Sequence, residues 1–376
     1  LTPWYNTVLT LLCLGVFWMV GREFFTWVFT QADWQVVQTN LRGFWVGRFP
    51  KSELWRVGLL AWLWVGLLAS VWGGLAPWRN GVVGLWGAIA LIGGAFSLLL
   101  GAGWLPSLGV MGLALTALGG IALMAGLRRK PWGKWVLRGF PLVWIVTLVL
   151  TLWLLGGGFG LSEVSRTQWN GLVLTLLSAI AGIALSFPFG LALALGRRSR
   201  LPVIRIVSTL YIETVRGLPL IGILFTAQVM LPLVLPRTLE IDSVVRTIAG
   251  LALFSAAYLA ENVRGGLQSV PQGQVEAAQA LGLSHGLIVG FIVLPQALRA
   301  VIPAIVGQFI GLFKDTSLLS LVGLFELTGM ARSILSQPEF IGRYAEVYGF
   351  VGLIYWGFCY SMSVTSRRVE AMLGES

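Results

Sequence analysis

Residues 171–195 form an apolar run of 25 residues without one charged side chain. At about 1.5 Å of rise per residue, a helix of that length crosses the ~30 Å hydrocarbon core of a bilayer. Runs of this kind recur at 4–30, 57–76, 81–100, 106–127, 140–159, 203–236, 244–264, 287–313 and 348–364. Only 11% of the residues are charged, and the mean hydropathy is +0.84. A chain so patterned cannot leave its apolar runs in water, and the expected fold is an all-α polytopic membrane protein of ten spans. Two stretches stand apart. Residues 31–56 are polar and aromatic and predict an amphipathic interfacial helix over 34–45. Residues 318–327 are apolar but too short to require a crossing.

The net charge is +11, with 18 Trp. In a soluble chain that balance points to nucleic acid. Here the basic residues gather between apolar runs, as the positive-inside rule requires, and Trp favours the lipid interface. Lipid is the expected contact and nucleic acid is not. The clusters at 128–138, 197–200 and 367–368 fall on one side if the spans alternate, which makes that side the cytoplasm and puts both termini there. Arg42, Arg48, Lys51 and Arg56 come out on the opposite side, against the rule. Cys13 and Cys359 both lie in apolar runs, so neither a disulfide framework nor a metal site is expected. Residues ahead of Leu1 are expected, a cleavable signal peptide is not.

Between two apolar runs lies a polar segment punctuated by Gly and Pro. Pro271 suits a helix start, where the missing N–H has no intrahelical acceptor. Residues 272–281, which include Gln274 and Glu276, are mostly good helix formers. Gly282 suits a left-handed stop. The spacing predicts a short helix outside the lipid that presents Ala277, Ala278 and Ala280 as small contacts for another protein. A helix lying on the lipid surface is the alternative that these residues alone leave open. The order Glu276-Ala277-Ala278, Gly282, Ile292, Leu294 and Pro295 resembles the Glu-Ala-Ala loop of permeases from ATP-binding-cassette importers.

The resemblance extends over 169–369. The stretches GLVLTL at 171–176, LALALGRRSR at 191–200, YIETVRGLPL at 211–220, YLAENVRGG at 258–266, LPQA at 294–297 and KDTSL at 314–318 are similar to successive signatures of polar amino-acid permeases. GRFPKSELWR at 47–56 and LLGGGFGL at 154–161 resemble the long permeases of general or neutral L-amino-acid importers. The resemblance implies a type I importer permease core of about five helices at 166–376, with its coupling helix at 270–285. An extension of about five spans would precede it at 1–165. It further implies a cytosolic ATPase dimer, a second permease subunit (a sister chain rather than a copy of itself) and an extracytoplasmic amino-acid-binding protein. Gln274, Glu276, Ala277, Ala278, Gly282 and Pro295 would then form the ATPase-coupling loop. The chain has no G-x-x-x-x-G-K-[ST] phosphate loop, so ATP and Mg are expected on the partner ATPase and no cofactor on this chain. No enzymatic nucleophile–base arrangement stands out, and His285, the one His, reads as a loop residue.

A charged side chain at a helix centre costs about 2.5–3.5 kcal/mol on insertion scales, so charges within spans need a reason. Lys314 and Asp315 interrupt an apolar run, and neighbours on a helix point about 100° apart, so each needs its own partner. A zwitterion offers both signs, which makes Lys314 and Asp315 the candidate substrate-path residues, with Glu326 as a further anion and Gln308 as a polar liner. A pair that only fixes helix packing is the plainer alternative. Glu213 and Arg216 are three residues apart and are expected to pair with each other. Glu261 and Arg264 repeat the spacing and are expected to anchor the loop. Two other classes of function compete with the importer reading. An ATP-independent channel or secondary transporter would carry an inverted repeat with broken helices, which the sequence does not show. A membrane enzyme would gather acids or His at the interface, where only Glu163 precedes Trp169.

Overall fold

The computed structural model describes residues 4–75, 133–236 and 240–374, together with 116, 119 and 120. The expected spans at 81–100 and 106–127 and the basic run at 128–132 lie outside the described residues. The extension supplies α1 (Trp4–Thr26), α2 (Gln35–Val46), α3 (Leu54–Leu75) and α4 (Gly133–Gly156). The core begins with α5 (Gly171–Arg197), α6 (Pro202–Gly217), α7 (Leu220–Phe225, prolonged to Val234) and α8 (Ser243–Ser269). It ends with α9 (Gln272–Ala280), α10 (Leu294–Asp315), α11 (Leu327–Leu335) and α12 (Tyr344–Gly374). Among the described residues six helices are long and apolar enough to cross a membrane, or seven if one bent pair counts as a span. The molecule is an all-α, multi-pass membrane protein, and no described residue lies in an extended strand beyond two isolated bridges.

The apolar run 203–236 is not one straight crossing. Helices Pro202–Gly217 and Leu220–Val234 meet at 107°. Pro219 explains the break: the residue before a proline is driven out of the helical region, and Leu218 is extended at φ −101°, ψ 144°. Pro303, by contrast, is accommodated inside α10, and Pro295 sits in the first turn of that helix. The segment 318–327 does not cross. It continues α10 as a 3-10 helix, Thr316–Val322, then turns at Gly323 (φ +86°) into α11.

The long helices α5 and α8 form the centre of the core. Gly190 lets them touch, since a Cβ there would stand 2.8 Å from the Ala256 carbonyl oxygen. Leu174, Leu224, Leu251, Leu312 and Leu319 fill one half of the interior. Ala194, Ile212, Leu259, Ala297 and Ile305 fill the half toward α9. The two ends of α5 therefore define two ends of the bundle. Arg197 marks the end that carries α9, and Gly171 marks the end that carries α11.

The expected interfacial helix is present as α2, but it lies on protein. Val36, Val37 and Phe44 are buried among Leu172, Leu327, Ala331, Ile334 and Val351. The two stretches that resemble long permeases meet in space. Arg56, 1% exposed, ion-pairs with Glu53 at 2.9 Å and donates to the Ser162 carbonyl at 2.9 Å and hydroxyl at 2.8 Å. The Gly157 turn that presents Ser162 has φ +82°, and a Cβ there would fall 2.1 Å from the Ser162 carbonyl oxygen, so this glycine is required. Arg42 donates to the Phe49 carbonyl at 2.8 Å, and Arg48 lies 4.7 Å over the Phe325 ring. Three of the four basic residues that break the positive-inside pattern are thus used in packing the extension, so their placement is set by local contacts.

Gly171 joins the extension to the core. Its N–H donates to the Phe325 carbonyl at 2.8 Å, its φ is +62°, and a Cβ would stand 2.6 Å from the Phe44 carbonyl oxygen. Gly171→Ala is expected to lower the thermal stability of the purified protein by roughly 1–3 kcal/mol, the scale of a strained backbone residue. Thermal unfolding in detergent measures it.

Candidate functional site

Three groups of side chains stand out, and they are distributed along the depth of the core. At one end is the loop helix α9. Pro271 directly precedes it, as its fixed φ favours. Its last turn closes with Leu283 N–H on the Ala278 carbonyl at 3.2 Å and Gly282 N–H on the Gln279 carbonyl at 2.9 Å. That paired pattern with Gly282 at φ +77° is a Schellman stop. Gln274, Glu276, Ala277 and Ala280 are exposed. Ala278 is not a contact for another protein: it is 2% exposed and packs with Leu267, Ile288 and Val293 of its own chain. On a helix a residue two positions from Glu276 faces elsewhere, so Glu276 and Ala278 cannot share a face. Leu281 is a large apolar side chain 81% exposed just beyond the helix, a feature the residue pattern of the loop did not single out. Pro295 is exposed at the start of α10.

Next to α9 is a cluster of charges. Glu261 on α8 receives Arg264 of its own helix, Arg197 of α5 at 3.4 Å and Arg216 of α6 at 3.6 Å. Arg216 also lies 5.6 Å over the Tyr258 ring. The expected Glu213–Arg216 pair does not form; Glu213 instead meets Arg197 at 2.8 Å. Packing decides this. Gly196 brings α5 so close to α6 that a Cβ there would fall 2.3 Å from Ser208 Oγ, which puts Arg197 within reach of both acids. In the sequence Arg197 is one charge of the basic cluster at 197–200, and nothing local marks its pairing with Glu213 and Glu261. Beside it Arg198 donates to the Leu267 carbonyl at 3.0 Å, fastening the end of α8 just ahead of α9.

The third group lies deeper. Leu312 packs against Gly182, near the middle of the 27-residue α5, so the end of α10 reaches the middle of the bundle. Lys314 is exposed there, and among the described residues it makes no ion pair. Gly307, Gly311 and Lys314 fall on one helical face at four- and three-residue spacing, and nothing stands within 4 Å of a Cβ at either glycine. Asp315 is half-buried on a different face. Gln308 reaches Ser255 Oγ at 3.4 Å and is tied to α8.

Glu326, expected as a second anion on the path, is fully buried. Its carboxylate caps α11, accepting from the N–H groups of Thr328 at 2.8 Å and Gly329 at 2.9 Å. The Tyr355 hydroxyl at 3.1 Å and Thr175 hydroxyl at 3.4 Å complete the shell. Little in the sequence hints at this, since the usual N-cap residues are Ser, Thr, Asp and Asn and not Glu. Among the described residues, no group of three His, Cys, Asp or Glu side chains gathers as a metal site would need.

The profile of the family described as "binding-protein-dependent transport system inner membrane component" matches residues 186–371. The inner membrane amino-acid ABC transporter permease protein YhdY of Escherichia coli is 35% identical over 98% of this chain and 89% of its own length. With this helical core and loop, the chain belongs to that family and is a multi-pass protein of the bacterial inner membrane. The glutamate/glutamine/aspartate/asparagine transport system permease protein BztC of Rhodobacter capsulatus is 37% identical over 92% of this chain and 79% of its own. The probable glutamine ABC transporter permease protein GlnP of Bacillus subtilis is 38% identical, over 54% of this chain and 91% of its own length.

Removing the Glu326 carboxylate leaves the Thr328 and Gly329 N–H groups without their acceptor. Glu326→Ala is expected to cost at least the roughly 0.5–2 kcal/mol of a lost N-cap. Glu326→Gln, which keeps one acceptor oxygen, is expected to cost less. The order of the two melting temperatures checks the assignment.

Proposed function

We propose that the chain is the permease subunit of an ATP-driven, binding-protein-dependent amino-acid importer, lining half of a path shared with a second, sister permease. One observation carries the path: Lys314 sits at mid-depth of an apolar span, exposed, without an ion-pair partner among the described residues, on a face left open by Gly307 and Gly311. A cation in that place is tolerable only where water, substrate or a second chain covers it. Relatives named for amino acids supply the substrate class. In this reading Lys314 meets the carboxylate of a free amino acid and Asp315 its ammonium. Glu326 takes no part, because the capping of α11 occupies it.

Coupling falls to α9. Its exposed Glu276 and Leu281 offer a charge and an apolar anchor to a cytosolic ATPase, where ATP and Mg would bind. The Schellman turn at Gly282 fixes the angle between them. The charge cluster on Glu261 joins the base of this loop to α5 and α6, so a push on α9 reaches the bent span through Arg197 and Arg216. The α11 end then faces outward, toward a binding protein that delivers substrate.

Lys314→Gln and Asp315→Asn remove charge at nearly constant volume. Each is expected to weaken substrate-stimulated ATP hydrolysis by about tenfold or more, since a hydrogen bond to a charged group is worth roughly 1.5–3 kcal/mol. Basal hydrolysis and assembly of the reconstituted complex stay unchanged. Complexes that fall apart in detergent but transport normally when intact would make both residues packing groups. For the loop, Gly282→Asp meets no steric obstacle but sits at φ +77°. It is expected to abolish uptake while the melting temperature of the permease moves by only a few degrees, and normal uptake would remove α9 from the coupling path.

A further inference from the structure

Helix α11 is covered from two origins. On one side it is fixed to the core: Glu326 ties its first turn to Thr175 and Tyr355, Gly171 N–H holds the Phe325 carbonyl, and Leu327 N–H donates to the Thr175 hydroxyl at 3.0 Å. On the other side it is covered by α2 of the extension. Gly43 faces Met330 and Ile334, with a Cβ position 3.5 Å from Met330 Cε and 3.8 Å from Ile334 Cδ1. Phe44 is fully buried and packs edge-on against Phe350 at 5.1 Å.

Polar contacts close both ends of this cover. Ahead of α2, Asp33 pairs with Arg343 at 3.0 Å, and its N–H donates to the buried Glu346 carboxylate at 3.1 Å. Behind α2, the Arg48 N–H donates to Asn170 Oδ1 at 3.3 Å while its guanidinium covers the Phe325 ring. The contacts therefore run from Phe325, just ahead of α11, to Phe350 in α12. A relative matched over 91% of its length by 54% of this chain has no room for both the core and this extension.

We propose that residues 33–48 are a static brace: they hold α11, and through it the end of α10 that carries Lys314, in register during transport, and Asp33 and Arg48 are positioning residues for it. The path sets the logic. Thr316–Val322 follows Asp315 directly, and this short 3-10 segment leads into α11. Freedom of α11 is therefore freedom of the Lys314 backbone. A two-sided cover, apolar in the middle and polar at both ends, moves with α11 as one body. The α2 side of the core is also closed by this chain itself, so a second permease must dock elsewhere on the core. The inference rests on the importer reading for its consequence, and on the contacts alone for the brace.

The test uses the complete importer with Asp33→Cys and Arg343→Cys in a Cys13→Ser/Cys359→Ser background, linked by a short reducible bis-thiol reagent. Linking in native membranes, read on gels, reports the juxtaposition without any transport assay; failure to link overturns the geometry. Unlinked, the variant is expected to show raised basal ATP hydrolysis and a several-fold lower stimulation by loaded binding protein. Linking is expected to restore the stimulation ratio, which a merely structural role would not do. Full stimulation in the unlinked variant would overturn the brace, as would a linked form that stops transporting until it is reduced. If the double-cysteine chain fails to accumulate, Asp33→Arg is expected to lose stimulation and Asp33→Arg with Arg343→Asp to regain it. Failure of that rescue also overturns the proposal. Absence of any stimulation in the unaltered complex would instead reject the importer reading and leave the linking result standing.

Discussion

A helix that begins inside a packed bundle leaves N–H groups with no water to accept from them, and at α11 one carboxylate answers that need. Glu326 receives two of these N–H groups and the hydroxyls of Thr175 and Tyr355. An unsatisfied buried donor costs about 1–3 kcal/mol, so the two N–H contacts weigh heavily in holding the turn after α10. That turn, in turn, lets α10 end at mid-depth instead of crossing straight through. An open position for Lys314 follows from it. The most buried acid of the core is thus structural, and Lys314, at mid-depth, is left exposed.

The same requirement for polar satisfaction shapes the extension. Arg56 is buried because Glu53 and Ser162 surround it, and Ser162 is where it is because three glycines, Gly157, Gly158 and Gly160, take left-handed turns beneath it. Arg48 covers an aromatic ring and Arg42 meets a carbonyl. Counting charges along the sequence gives such residues the weight of free loop charges. Their guanidinium groups are instead engaged by the fold, and a side chain so held reports on packing more than on topology.

At the opposite end, the charge cluster has a different character. Three arginines and two glutamates from α5, α6 and α8 lie half-exposed around Glu261, and half-exposed pairs contribute little stability each. Their value is geometric. They connect the ends of three helices next to a loop helix with few buried side chains of its own, since Ala278 is the buried one.

The sequence by itself determined the class of fold. The length and spacing of its apolar runs leave no alternative to membrane helices, and Pro271 and Gly282 delimit α9 to within a residue or two because both act through their own backbone torsions. Glu276, Gly282 and the Lys314–Asp315 pair were legible as candidates because charge in lipid, and order in a loop, are local properties. Tertiary structure alone decided the partners. Glu213 chooses Arg197 over Arg216 because Gly196 brings two helices together. Glu326 becomes a cap because Thr175 and Tyr355 converge on it from positions 151 and 29 residues away. The interfacial helix α2 turns out to lie on α11, since an amphipathic face fits lipid and protein equally well. Periodicity tells which face is apolar, and only the packing of distant segments tells what covers it.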